Sequence, residues 1–204
     1  MIRVIIRIAR VISIIFTPFY LPVMGLLALF MFSYLNILPL VYKTSVLGMV
    51  LFFTALVPTL LIRIYRYFQG WTRAEIGHKE KRMVPYFISI ASYLCCIYVM
   101  KNLHMPHFMG KILITALIIQ IVCALLNIWW KVSTHMAAIG GVSGAMLVFA
   151  FILNFNPLPW YCMMLFFSGI LGSSRLILRQ HKLSEVVGGY LIGTLLAVIL
   201  MIYI

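Results

Sequence analysis

The chain is a succession of apolar runs interrupted by short joints of cations, prolines, glycines and small polar residues. A helix that crosses the hydrocarbon core needs about 20 predominantly apolar residues. Cutting at the charges and prolines leaves runs of that order at 14–35, 44–68, 84–102, 111–130, 136–154, 157–174 and 186–204. The sixth run is short, so the pattern predicts six to seven spans. Ahead of them Arg3, Arg7 and Arg10 fall at i, i+4 and i+7, on one face of a helix otherwise built of Ile and Val. That is the pattern of an amphipathic interfacial helix over 1–13, lying along the headgroups. The expected fold is all-α: a polytopic transmembrane helical bundle over 14–204 behind that helix, forming a single domain over 1–204.

Composition narrows the picture. With 65% apolar and 9% charged residues, the chain lies far from the roughly 45–50% apolar and about 25% charged of soluble domains. A soluble fold is excluded, and with it the reading of the net charge of +13 as a nucleic-acid surface. The charge instead expresses membrane topology and anion handling. The arginines inside the first apolar run and the absence of a small-x-small cleavage site argue against a signal peptide. Cys95, Cys96, Cys123 and Cys162 sit inside apolar runs without metal-ligand spacing, as buried reduced thiols would. The acids are Glu75, Glu80 and Glu185, so chemistry that needs a carboxylate has few candidates.

Alternating the joints of seven spans puts the N-terminus, 69–83, 131–135 and 175–184 on one side. Most cations, Arg63, Arg66, Arg73, Lys131, Arg175, Arg179 and Lys182 among them, share that side, against Lys43, Lys101 and Lys111 on the other. The positive-inside rule makes the basic face cytoplasmic.

Polar groups at membrane depth are functional candidates by default, and they cluster on the basic face. In the last joint His181 precedes Glu185 by four residues, a spacing that brings both side chains to one helix face. A carboxylate beside a histidine fixes its tautomer and leaves the other ring nitrogen as nucleophile or base. A helix-end ion pair of Glu185 with Arg179 or Lys182 is the alternative. In Lys131-Val-Ser133-Thr134-His135, Ser133 or Thr134 is placed to cap the next helix, whose free N–H groups form an anion site. An ordinary cap with an interfacial histidine explains the same residues, and Trp129 and Trp130 fit an aromatic belt. The longest polar stretch, 70–85, spaces Lys79 and Arg82 to grip a phosphate and places Pro85 in the first turn of the following helix. As a charge run it is equally a solvated loop facing anionic lipid. His104 and His107 fall on the opposite side.

Taken in order, these residues resemble the type 2 phosphatidate phosphatases, membrane enzymes that share their site with the vanadium haloperoxidases. The family's third motif is Ser-Arg, five residues, His, three residues, Asp. Ser174-Arg175, His181 and Glu185 match it, with Glu where Asp is usual. Ser133 and His135 keep the Ser and His of the second motif, Pro-Ser-Gly-His. Of the first motif the chain keeps Pro85, with Gly77 and Val84 at the usual cation positions and Lys79 and Arg82 nearby.

The resemblance implies a metal-independent lipid phosphatase without cofactor, in which His181 takes the phosphoryl group, Glu185 orients it and His135 protonates the leaving oxygen. Arg175, Ser133, Thr134, Ser174 and, from shifted positions, Lys79 and Arg82 would hold the phosphate oxygens. The implied substrate is a lipid mono- or pyrophosphate (phosphatidate, phosphatidylglycerol phosphate, an isoprenyl pyrophosphate or a lipid A phosphate) in a bilayer, expected to be a bacterial inner membrane. Bacterial members of the family usually work on the periplasmic side, whereas the charge count points to the cytoplasm. A degenerate member that binds lipid phosphate or a membrane partner without hydrolysis is the alternative. A transporter is disfavoured because few polar residues lie in the span centres, Gln120 and Asn127 among them. The sequence does not set the oligomeric state. Gly140, Gly141, Gly144, Gly188, Gly189 and Gly193 allow close helix approach, expected within the monomer.

Overall fold

A computed structural model describes residues 2–69, 79–154 and 156–203, leaving aside the side chains of residues 2, 32, 34 and 79–83. The elements are α1 (Ile2–Ile15), α2 (Leu21–Phe32), a 3-10 turn (Tyr34–Ile37), α3 (Leu40–Leu51), a π turn (Phe52–Leu56) and α4 (Val57–Phe68). They continue with α5 (Lys79–Asn102), α6 (His107–Trp129), α7 (Thr134–Ile152), α8 (Leu158–Ile177) and α9 (Leu183–Tyr203). Among the described residues, the α3–π–α4 rod (Leu40–Phe68), Val84–Asn102 of α5, and α6 to α9 are the six helices long and apolar enough to span a membrane. The protein is thus an all-α polytopic bundle, and its outer surface exposes Phe87, Phe166 and Leu195 to the surrounding apolar phase.

The run 14–35 is not one helix. Pro18 lacks an N–H and pushes Thr17 out of the helical region, and the Thr17 hydroxyl donates to the Ile14 carbonyl at 2.6 Å. The chain turns and restarts as α2, with Pro22 in its first turn. Its 12 residues span about 18 Å, short of the roughly 30 Å hydrocarbon core. α2 lies beside α7: Leu21 clusters with Met136, Gly25 faces Val142, and Leu29 and Phe30 cluster with Phe149. The chain therefore still passes from the start of α7 to its end, and the order of sides is kept.

Two other prolines shape the spans. Pro58 would clash with the Thr54 carbonyl of a regular helix, and the chain absorbs this in the π turn. Thr54 Oγ1 there lies 3.1 Å from the Phe19 carbonyl and ties the rod to the α1–α2 break. Pro85 lies inside α5, which already runs helically from Lys79, not in its first turn as expected. The cysteines are free, but only Cys96 and Cys123 are buried; Cys95 and Cys162 are exposed on the bundle exterior, contrary to expectation.

The tightest helix pair is α7 with α9. Gly140 faces the Tyr190 carbonyl, Gly144 the Thr194 carbonyl and Gly193 the Ala137 carbonyl, each so close that a Cβ would collide with it. The Thr194 hydroxyl, 3.1 Å from the Gly140 carbonyl, adds a polar clasp between the helices. The small residues of the last two glycine clusters thus serve packing within the monomer. Their replacement by alanine tests this: Gly140→Ala and Gly193→Ala are each expected to destabilise by about 1–3 kcal/mol. Gly169→Ala, at a position with open space, is expected to be neutral, as read by thermal denaturation in detergent.

Candidate active site at the cationic end of the bundle

Five chain segments meet where α7 and α9 begin: the end of α1, the joint 130–133, the first turn of α7, the end of α8 and the joint 178–182. The joint 130–133 is pinned across the start of α9. The Trp130 indole lies against Gly188, and the Ser133 N–H donates to the Glu185 carbonyl at 3.2 Å. Trp130 is thus covered on one side by α9 though still 40% exposed, while Trp129 is 81% exposed.

The predicted His181 and Glu185 come together, but not through one helix face. His181 lies in the joint and Glu185 is the third residue of α9. Glu185 Oε2 is 2.9 Å from His181 Nδ1 and accepts the Lys182 N–H at 3.2 Å. This is the reach-back half of a capping box, so one carboxylate oxygen caps α9 and holds the imidazole. An ionised carboxylate only accepts; His181 Nδ1 therefore carries the proton and Nε2 keeps its lone pair. Burial holds His181 below its ordinary pKa. The Glu185 hydrogen bond opposes this, and the charges of Arg175 and Lys131 act with burial.

Arg175, at the end of α8, is buried, and its Nη1 donates to Ser13 Oγ at 2.8 Å. Its Nε has no protein partner. Ser133 is the N-cap residue of α7 by position, but its hydroxyl makes no capping bond and is buried without a partner. His135 stands in the first turn with Nδ1 buried and unpaired, within electrostatic reach of both Arg175 and His181. Buried polar groups are nearly always satisfied. Among the described residues Ser133 Oγ, His135 Nδ1 and Arg175 Nε, around the start of α7 and the end of α8, are thus left with hydrogen-bonding capacity that a ligand could use.

Thr134 lines an apolar cavity of about 260 Å³ together with His135. The cavity is lined by Thr17, Tyr86 and His135 toward the cationic end and runs between α2, α5, α6 and α7 to Phe149. Over the 14 residues from His135 to Phe149 the helix rises about 21 Å. Gln120 and Thr115 are polar points in its wall, and Asn127 Nδ2 donates to Tyr86 Oη at 3.1 Å near its mouth.

The structure does not bring every predicted residue to this point. Ser174 donates its hydroxyl to the Ile170 carbonyl at 2.8 Å and lines a cleft toward α1. The stretch 70–82 lies outside the described residues apart from the helical backbone from Lys79, and the side chains of Lys79 and Arg82 lie outside them too. His104 and His107 flank the joint at the far end of α5. Among the described residues no group of three or more His, Cys, Asp or Glu gathers as a metal ion would require.

Two contributors carried no role in the sequence reading. Ser13 is the small polar residue on the inward face of α1, beside Ala9, and only the packing of α1 on α8 brings it to Arg175. Lys131, two residues before Ser133, lies in the pinned joint, where its charge acts on His181 and Glu185. Compared with family models, curated proteins and solved structures, the chain matches none.

Proposed function

We propose that the protein is a membrane lipid phosphatase that hydrolyses a phosphate or pyrophosphate ester of a lipid through a phosphohistidine. The reading rests on one arrangement: a carboxylate-held imidazole beside the orphaned Ser133 Oγ, His135 Nδ1 and Arg175 Nε, at the head of a long apolar cavity. The cavity suits a hydrocarbon tail, and the orphaned polar groups suit the oxygens of a phosphate at its head.

In this mechanism His181 Nε2 attacks phosphorus, forming a P–N bond as the P–O bond to the lipid breaks. A bound phosphate dianion favours the charged form of the adjacent His135, which gives its proton to the leaving oxygen and releases the lipid alcohol. Neutral His135 then takes a proton from water as it attacks the phosphohistidine, and inorganic phosphate leaves. Arg175, Ser133, Thr134 and the first-turn N–H groups of α7 stabilise the equatorial oxygens throughout. Lys131 adds a cation whose charge reaches His181, and Lys79 and Arg82 remain candidates from the preceding stretch. Glu185 keeps His181 in the attacking tautomer and stabilises the imidazolium form.

Phosphate release from lipid mono- and pyrophosphates in EDTA tests this directly. Wild type is expected to release phosphate, His181→Ala to release none, and Lys131→Ala to be about tenfold slower, a loss of about 1.4 kcal/mol. Binding without release by wild type would turn the reading to the degenerate, lipid-binding alternative.

The pH profile tests the role of Glu185. The carboxylate raises the His181 pKa against burial, so Glu185→Gln lowers it further and leaves the nucleophile neutral to a more acid pH. The acid limb of kcat/KM on one substrate is expected to move to lower pH while kcat falls roughly 10²–10⁴-fold. An unmoved limb would remove Glu185 from the nucleophile.

The cationic end, and with it the site, is assigned to the cytoplasmic face by the positive-inside rule. With Cys95 and Cys162 replaced by alanine, an impermeant thiol reagent on intact cells is expected to label Asn156→Cys and to spare Gln69→Cys. The reverse pattern would put the site on the outer face.

A further inference from the structure

α1 and α8 enclose a second lipid-shaped feature on the far side of the Ser13–Arg175 pair. Its lower part is an apolar cleft of about 490 Å³ with Ile8 and Ile12 on one wall and Leu165, Phe166 and Gly169 on the other. Its upper part, of about 690 Å³, lies where α8 ends and carries Arg10, Ser13, Arg179 and Gln180. Ile5 and Ile177 border both parts, so the two adjoin. Arg10 and Arg179 are exposed, with no protein partner among the described residues. No acid lines either part.

Arg179 has φ 51° at the end of α8, in a Schellman turn closed by Gln180 N–H to the Arg175 carbonyl at 3.2 Å. Glycine is the residue that adopts this conformation without strain. An arginine there keeps a cation at the mouth of the cleft at the expense of local stability.

We propose that this cleft is a binding site for one anionic phospholipid, distinct from the cavity that reaches His135. The acyl chain lies between α1 and α8, the phosphate meets Arg10 and Arg179, and the Gln180 amide is placed for headgroup hydroxyls. Charge complementarity selects an anionic lipid: two unneutralised guanidiniums stand at the depth where the helices end, above a slot lined by aliphatic and aromatic carbon. A lipid seated there secures α1 on α8, and α1 supplies Ser13 to Arg175. The proposal concerns binding and holds whether or not the chain is a phosphatase.

The test uses the full chain purified in detergent and titrated with phosphatidylglycerol, phosphatidylcholine or glycerol phosphate, reading melting temperature and, by native mass spectrometry, retained lipid. Phosphatidylglycerol is expected to raise the melting temperature and remain bound at one copy, and the other two to do neither. Arg179→Gly is expected to melt at or above wild type without lipid, because glycine relieves the left-handed turn. It is also expected to need at least tenfold more phosphatidylglycerol for a half-maximal rise. Arg10→Gln is expected to share the weakened response, and His181→Ala to respond as wild type. An undiminished response in both arginine variants overturns the proposal, as does an equal response to phosphatidylcholine. A full response to glycerol phosphate reduces the site to an anion pocket. A response lost in His181→Ala places the lipid at the catalytic centre instead.

Discussion

The close contact of α7 with α9 is the constraint on which the candidate site depends. Gly140, Gly144 and Gly193 let the helix backbones approach to the point where each glycine faces a carbonyl of the partner helix. In a bilayer there is no hydrophobic gain in pressing one apolar helix against another, so association rests on dispersion at short range and on polar clasps such as that of Thr194. The geometry matters because the two helices begin side by side at the cationic end. α7 opens with Ser133 and His135, and α9 opens with Glu185, which holds His181. A side chain larger than hydrogen along this seam would separate those two helix starts.

The helix starts also explain how charge is carried at that depth. The Glu185 carboxylate accepts from both a backbone N–H and an imidazole, which places the anion at the N-terminus of α9, where the helix dipole favours it. Arg175 is held by Ser13 through one nitrogen and leaves another unpaired. A buried guanidinium, imidazole and hydroxyl with spare hydrogen-bonding capacity are expensive in an empty site. The apolar cavity runs along α7 from His135 to Phe149, so a group held at His135 has apolar carbon beyond it.

The N-terminal segment gives this site its third wall. α1 packs on α8 through Ala9 and Ser13, and the proline break lets the chain turn at the cavity mouth before α2 descends beside α7. The Thr54 hydroxyl, 2.8 Å from the Val50 carbonyl of its own helix, also reaches to 3.1 Å from the Phe19 carbonyl and so ties the break to the α3–α4 rod. Two deviations from ideal helices, at Pro18 and Pro58, are thus joined through one contact, and Pro18 and Phe19 line the cavity that His135 also lines.

The apolar runs by themselves determined the class of fold, because a length near 20 residues and the cost of bare backbone in lipid leave helices as the solution. They also determined the ends of α6 to α9 to within a few residues, since charges and prolines bound those runs. The run 14–35 reads as one helix because a lone Pro18 is averaged out among apolar neighbours, and hydropathy does not see its missing N–H. In the site, His181 with Glu185 and Ser133 with His135 were legible, as each pair is local in sequence. The capping box that joins the first pair depends on where α9 begins, which spacing alone does not set. Ser13, Lys131 and the cavity belong to the tertiary structure. Ser13 and Arg175 are 162 residues apart, and nothing in the chain marks them as partners until α1 lies on α8. Lys131 gains its position only when Trp130 and Ser133 are fastened to α9. The cavity is the space four helices fail to fill, and such a space has no sequence of its own.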